Sequence, residues 1–312
     1  AMTVIAKTDR WRPVLQAARA HMQRLGAHPA RCVVLVPYAQ LMAEAQRQWA
    51  ILAPEGFAPR FETTRNWAER LGGFAPEGLD FAHDVARDSF TARALLASAG
   101  LGAERDMLAA PLQEAAAQLA PLAAAAEPGQ RAAWAEAQRA VVGMAAEGAA
   151  LRYEAAVARI ALEWVAASRH ATDVLFEPRV RAQVDAIVAL EGFQPDPMAC
   201  ALCAAWGDSA LRVPLYCESP APGHIAPHSA QDAEDEAQRA AACVLAHVAA
   251  RRVPVALAST DRALVRRISA LLAGRNQPVR DENGWTLSTT RAAAQVMASL
   301  RACAWNAGAD AV

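Results

Sequence analysis

The chain has 312 residues, of which 54% are hydrophobic, and a formal net charge of −1. This length allows two domains and a sizeable core, whereas the near-zero charge excludes a general electrostatic attraction to nucleic acid and leaves only a local basic patch for that role. Lys7 is the only lysine, so a mechanism that requires a lysine has one candidate.

The sequence contains no membrane or export signal that we recognise. No apolar run approaches the ~20 residues of a membrane-spanning helix, and residues 2–11 lack the long apolar core and cleavage site of a signal peptide. The six cysteines are scattered, which is typical of reduced thiols in a large intracellular chain. We therefore expect a cytoplasmic protein without a membrane partner.

The first eighty residues alternate between short apolar runs and helical patterns. In order, we predict a strand at 3–6, a helix at 10–25 capped by Asp9, a central apolar strand at 32–36, a helix at 40–52, and a segment at 57–61 that leads into a short helix ending at Leu71. Residues 84–168 then read as long Ala-rich helices with breaks near 100–102, 110–111 and 128–129.

Strand signals return after this helical stretch. We predict strands at 172–176 and 184–190, a helix at 196–206 and a strand at 211–216. Beyond a linker at 218–228, the pattern predicts a helix at 232–251, a strand at 253–258, a helix at 262–272 and a last helix at 289–305. Strands that alternate with helices indicate a parallel, doubly wound α/β sheet.

These patterns predict two α/β domains and one insertion. Residues 2–83 and 170–217 would form the first α/β domain, residues 84–169 an all-α insertion, and residues 218–312 part of a second α/β domain.

The stretch from Val184 to Pro197 combines a buried strand with polar residues at its end. In an open α/β sheet, ligands bind just beyond the carboxyl ends of the strands, and here that position carries Glu191, Phe193, Gln194 and Asp196. The alternative interpretation is a buried strand followed by a proline turn, since Pro195 and Pro197 prevent further regular pairing.

Several segments resemble superfamily I helicases in their order along the chain. Residues 32–38 followed by a helix resemble motif Ia, residues 62–71 resemble the DNA-contacting motif Ib, and residues 184–197 resemble motif II. Residues 228–240 and 253–267 resemble the start of the second motor domain. The combination resembles the N-terminal part of an AddB-type protein, an inactivated superfamily I helicase joined to a RecB-like PD-(D/E)XK exonuclease.

The departures from this family concern the nucleotide site. Lys7 and Thr8 stand about where a phosphate-binding loop would end, but the Gly-rich loop and the Gly-Lys pair are missing. The apolar Leu190 stands where the magnesium-binding aspartate would be, followed by Glu191. The resemblance therefore implies a motor fold without ATPase activity, with no catalytic residue, no cofactor and no metal site in this region. It also implies that the full-length protein is a RecB-like exonuclease, with the nuclease motif further towards the C-terminus.

The resemblance also implies positions that contact single-stranded DNA. They carry hydroxyl, guanidinium and aromatic groups suited to phosphates and bases. These candidates are Tyr38, Thr63, Thr64, Arg65, Trp67, Ser259, Thr260 and Arg262. For Trp67 the alternative is core packing, and for Thr260 it is helix capping.

The expected function is thus non-catalytic DNA handling within a recombinational-repair helicase–nuclease, beside an AddA-type helicase subunit that hydrolyses ATP. One alternative is a doubly wound enzyme that acts on a small molecule, which would need a pocket with convergent polar groups. Another is an active ATPase that uses Lys7. A zinc site from Cys200, Cys203, His224 and His228 has an unusually long gap between its pairs, and the acidic turn at 232–236 is typical of a solvated helix start.

Overall fold

The computed structural model describes residues 7–72, 74–145, 151–215, 225–281 and 290–303. The chain divides into two compact units, Ala1–Pro220 and Ala221–Val312. No helix in these described ranges is both long and apolar enough to cross a membrane.

The described residues of the first unit form a four-stranded parallel sheet with helices on both faces, so this part of the chain has an α/β fold. Its strands are β1 (Cys32–Leu35), β2 (Arg60–Glu62), β3 (Ala186–Glu191) and β4 (Ala210–Pro214), in the order β2-β1-β3-β4. The register places Val34 beside Val188 and Leu35 beside Glu62.

The strands are short apolar runs because both faces of the sheet are covered. One face packs on α1 (Lys7–Arg24) and α2 (Met42–Leu52), with Leu15, Trp49 and Val188 in a shared core. The other face packs on α3 (Thr64–Leu71), with Ile187 and Trp67 in a second core. Two further helices close this second face, namely α8 (Pro178–Gln183) and α9 (Pro197–Trp206).

Four helices between β2 and β3 pack around their own apolar cluster. They are α4 (Val85–Ser98), α5 (Arg105–Ala125), α6 (Arg131–Ala145) and α7 (Arg152–Ala167). The predicted helical stretch is therefore present, but the predicted break at 110–111 is wrong, because α5 continues through Pro111 and Pro121. Packing of α5 between α4 and α7 offsets the hydrogen bonds that the prolines remove.

The second unit contains three described helices, α10 (Ala233–Ala249), α11 (Arg262–Ala273) and α12 (Arg291–Ala302). Helices α10 and α11 share a small core that includes Ile268 and Leu272. The predicted strand at 253–258 is wrong, because this segment is irregular and mostly exposed. A strand needs a hydrogen-bonded neighbour, and the described residues of this unit include no strand that could pair with it.

Other differences from the sequence predictions are local. Residues 171–176 form a 3₁₀ helix instead of a strand, and at its start the Asp173 carboxylate accepts from the His170 backbone amide at 3.0 Å. The first helix begins at Lys7, so Asp9 lies in its first turn and does not cap it. The predicted strand at 3–6 falls outside the described residues.

Two buried histidines, His21 and His170, predict that the first unit loses stability in mild acid. Burial lowers the pKa of His21 and His170 below the ordinary value near 6.5. The unfolded chain binds protons at these sites at a pH where the folded chain does not, so their contribution is complete above about pH 6.5 and is lost as the pH falls through the folded pKa values.

This prediction is checked by thermal unfolding at pH 7.5 and pH 5.5, where we expect a lower Tm at the acidic pH. In a His170→Gln variant, whose amide can still donate to the Val165 carbonyl that His170 Nε2 contacts at 3.0 Å, the drop should be smaller. The comparison separates the contribution of His170 from that of Glu62. Burial raises the pKa of Glu62, so the effect of Glu62 on the pH dependence of stability has the opposite sign. An identical drop in both proteins would contradict the prediction.

Candidate nucleic-acid interface

The sheet has a topological switch point between β1 and β3. From β1 the chain moves to β2 on one side, whereas from β3 it moves to β4 on the other side. Connections that leave in opposite directions open a crevice at the carboxyl ends of the two adjacent strands, and ligands of open α/β sheets bind there. This edge is therefore the first place to search for a site.

The crevice at this switch point is almost filled by residues of the chain itself. Tyr38, two residues after Val36, places its hydroxyl against Gly192, and the Pro37 ring lies against the same residue. A cavity of about 30 Å³ remains beneath them, lined by residues of β1, β3 and α9. That volume suits a water molecule, whereas small-molecule pockets are roughly 300–1,000 Å³.

The acidic end of β3 is neutralised within the sheet. Glu191 accepts a hydrogen bond of 2.7 Å from Nε of Arg212 on β4, and this bond raises the pKa of Arg212. Leu190 is buried in the core beneath α1 and α2. Lys7 and Thr8 belong to the first turn of α1, and their side chains lie outside the described part. In the described ranges, no three metal-ligating side chains converge.

The junction between β2 and α3 supplies the predicted hydroxyl and arginine cluster. The Thr63 hydroxyl accepts from the Asn66 amide at 3.1 Å and so caps α3, while the Thr64 hydroxyl donates to Asp196 Oδ2 at 3.3 Å. Arg65 is 80% exposed and pairs with Glu69 at 2.9 Å. Both hydroxyls therefore serve the local structure, and Arg65 is the member of this cluster that projects into solvent.

Trp67 is fully buried between α3 and the sheet. Its position follows from the helical spacing, because Trp67, Ala68 and Leu71 form the inner face of α3. The ring does not reach the surface, so the core-packing interpretation applies and the side chain is not available to stack on a base.

Phe193 is an exposed aromatic residue that the list of predicted DNA contacts did not include. It follows Gly192 directly and 79% of its surface is accessible. Its neighbour Asp196 caps α9 through the amides of Met198 and Ala199 and accepts from Thr64. The signal in the sequence is a large apolar residue in a proline-bearing turn, outside any helical or strand periodicity.

Glu62 is a second feature that the sequence did not reveal. This carboxylate at the end of β2 is 1% exposed, and Arg70 of α3 approaches it at 2.6 Å as an ion pair. Burial raises the pKa of Glu62, and the charge of Arg70 opposes that shift. The pair attaches α3 to the strand and so helps to fix the position of the first turn of α3, which carries Arg65.

The predicted contacts in the second unit lie at the start of α11. Asp261 caps this helix by accepting from the amides of Ala263 and Leu264, so Thr260, which is exposed, is not the cap. The Ser259 hydroxyl accepts from the Asp261 amide at 3.1 Å. Arg262 is partly exposed and contacts Asp281 at 3.3 Å.

The cysteines considered for zinc lie on α9. Cys203 packs in the core, and burial raises its pKa to about 11, which disfavours the thiolate that zinc requires. Its intended partner His224 falls outside the described residues, and His228 is exposed.

Comparisons with known proteins did not extend this description. No protein-family model matches the chain, and the comparison with curated proteins gave no match.

Proposed function

We propose that this chain is a non-catalytic, superfamily I helicase-like region that holds single-stranded DNA within an AddB-like helicase–nuclease subunit. The observation that carries the proposal is that residues of the chain itself fill the crevice at the switch point. This crevice is filled by Pro37 and Tyr38, while Arg65 and Phe193 are exposed on the segments that follow β2 and β3, the two strands on either side of β1. Such an edge favours a ligand that lies across the surface.

The chemistry of this edge suits an unpaired strand. Guanidinium groups bind phosphates, and aromatic rings stack on bases without regard to sequence. Arg65 lies in the first turn of α3, and helix amino termini favour anions. In this proposal Tyr38, Arg65 and Phe193 form the contact surface, and Thr63 and Thr64 hold this turn in place.

The remaining parts of the proposal rest on the resemblance in sequence. The order of the motif-like segments favours a degenerate helicase region without ATP hydrolysis, working beside an AddA-like subunit that supplies the motor. By the same resemblance, Thr260 and Arg262 are the candidate DNA contacts of the second unit. The alternative of a small-molecule enzyme would require a larger space at the switch point than the ~30 Å³ that is present.

The test is fluorescence anisotropy of labelled single-stranded DNA over a salt series. We expect binding that weakens with salt, and an Arg65→Ala variant should bind more weakly with a log–log salt slope reduced by about 0.7, the value of one lost phosphate contact on a single strand. The matched control is Arg31→Ala, because Arg31 is also exposed and ion-paired, to Asp185 at 2.8 Å, but lies at the amino edge of the sheet.

Equal losses of DNA affinity in the Arg65→Ala and Arg31→Ala variants would indicate nonspecific attraction. They would contradict the assignment of this surface as the DNA contact. No binding at low salt would contradict DNA handling by this chain.

A further inference from the structure

The helical part of the first unit contains a groove of about 480 Å³ between α4 and α7. Trp164 and Ile160 of α7, Leu95 of α4 and Leu79 of the preceding loop give it an apolar lining. Its volume lies in the range of small-molecule pockets.

Contacts between α7 and the loop that precedes α4 fix the shape of the groove. Nε1 of Trp164 donates to the Leu79 carbonyl at 2.7 Å, and Phe81 packs edge-on against the Trp164 ring with 5.1 Å between centroids. These contacts order the Leu79 loop while leaving the Leu79 side chain 57% exposed. The apolar wall is therefore preformed, which lowers the cost of ordering on binding.

The charges along the groove leave one cation available. Of the two lining carboxylates, Asp80 accepts from Arg169 Nη2 at 2.8 Å and Glu163 accepts from Arg139 Nη2 at 2.8 Å. Arg159 also lines the groove. Its charge acts on Glu163 and helps to lower the pKa of that carboxylate, but in the described ranges Glu163 forms its ion pair with Arg139 and not with Arg159. A cationic ligand would have to displace Arg139 or Arg169, whereas an anion meets Arg159 directly.

We propose that this groove binds an amphipathic carboxylate, whose apolar body lies on Trp164, Ile160 and Leu79 and whose acid group pairs with Arg159. Burial of an alkyl chain on these side chains supplies the attraction, and the ion pair selects the charge of the head group. The site uses none of the residues at the strand edge, so it goes beyond the function proposed above and stands independently of it.

The test is isothermal titration calorimetry of the full chain with decanoate and with decanol, both below their aggregation limits. We expect decanoate to bind about threefold to fivefold more tightly, as one exposed ion pair allows. In an Arg159→Gln variant this preference should disappear, and in a Leu79→Ser variant both ligands should bind more weakly.

The control variants are Arg152→Gln and Leu122→Ser. Arg152 lies on the same helix as Arg159 but stacks on Tyr153. Leu122 of α5 has an exposure comparable to that of Leu79. Neither residue lines the groove. Both controls should bind like the wild type. The proposal is overturned if decanoate does not bind, if its preference over decanol survives in Arg159→Gln, or if the controls lose binding to the same extent.

Discussion

Replacement of Arg131 by alanine is expected to lower the free energy of unfolding of the first unit by about 3–5 kcal/mol, the cost of breaking a buried charge pair. Arg131, at the start of α6, is 5% exposed. Its guanidinium pairs with Asp173 and donates to the carbonyls of Ala123 at 2.9 Å and Ser168 at 3.0 Å. Its loss would strand these acceptors in the interior, where an unsatisfied polar group is costly.

The position of Arg131 explains why the effect should be large. Ala123 belongs to α5, Ser168 directly follows α7, and Asp173 belongs to the 3₁₀ segment that leads back toward β3. One side chain thus joins the end of the helical part to the sheet part. The exposed control is Arg139→Ala, which removes an ion pair with Glu163 and should change stability little, because exposed pairs contribute little.

Urea unfolding followed by circular dichroism and tryptophan fluorescence measures this difference. An Arg131→Ala/Asp173→Asn double variant should recover part of the loss, because the unpaired charge is removed while Asn can still accept from the His170 amide that Asp173 Oδ2 contacts at 3.0 Å. Arg131→Ala and Arg139→Ala proteins of equal stability would show that the buried network does not act as described.

The parts of the fold that could be predicted from sequence are those that local pattern determines. The apolar runs of β1 and β3 are shorter than a helix and rich in Val and Ile, so burial on both faces followed directly. Residues 171–176 include a short apolar run but form a 3₁₀ helix, whose start is fixed by the Asp173 carboxylate that accepts from the His170 backbone amide. Whether such a run becomes a strand depends on local capping and on an adjacent strand whose backbone groups are still unpaired. The hydrophobic periodicity of the sequence indicates neither.

The position of the candidate site was predictable from the sequence, but the side-chain contacts that fill it were not. The sequence placed polar residues at the end of β3, where parallel sheets bind ligands. It did not reveal that Glu191 pairs with Arg212 or that Tyr38 covers Gly192, because both contacts depend on the register between strands far apart in the chain. The exposure of Arg65 and the burial of Trp67, by contrast, follow from opposite faces of one short helix.

Substitution of Gly192 by alanine is the second change for which we expect a large effect, a loss of about 1–3 kcal/mol typical of overpacking. A β-carbon at Gly192 would lie 2.9 Å from Cβ of Pro37 and 2.9 Å from the Tyr38 hydroxyl. The backbone of Gly192 is not in the left-handed region, so the cost is steric. The control is Gly129→Ala, since nothing lies within 4 Å of that position.

A second substitution separates the two clashes. Tyr38→Ala in the Gly192→Ala background removes the contact with the hydroxyl but leaves the contact with Pro37, whose ring cannot rotate away. We therefore expect partial recovery of stability in urea unfolding, measured as a non-zero coupling between neighbouring sites.

The same experiment bears on the choice between the two functional hypotheses. If Gly192→Ala is as stable as the wild type, the crevice has more room than the packing of Pro37 and Tyr38 indicates, and a small molecule at the switch point becomes the better hypothesis. If the variant is destabilised and Tyr38→Ala recovers only part of the loss, the crevice is closed by the chain itself. A ligand at this edge would then have to bind on the surface that Tyr38, Arg65 and Phe193 present, as an extended strand of DNA would.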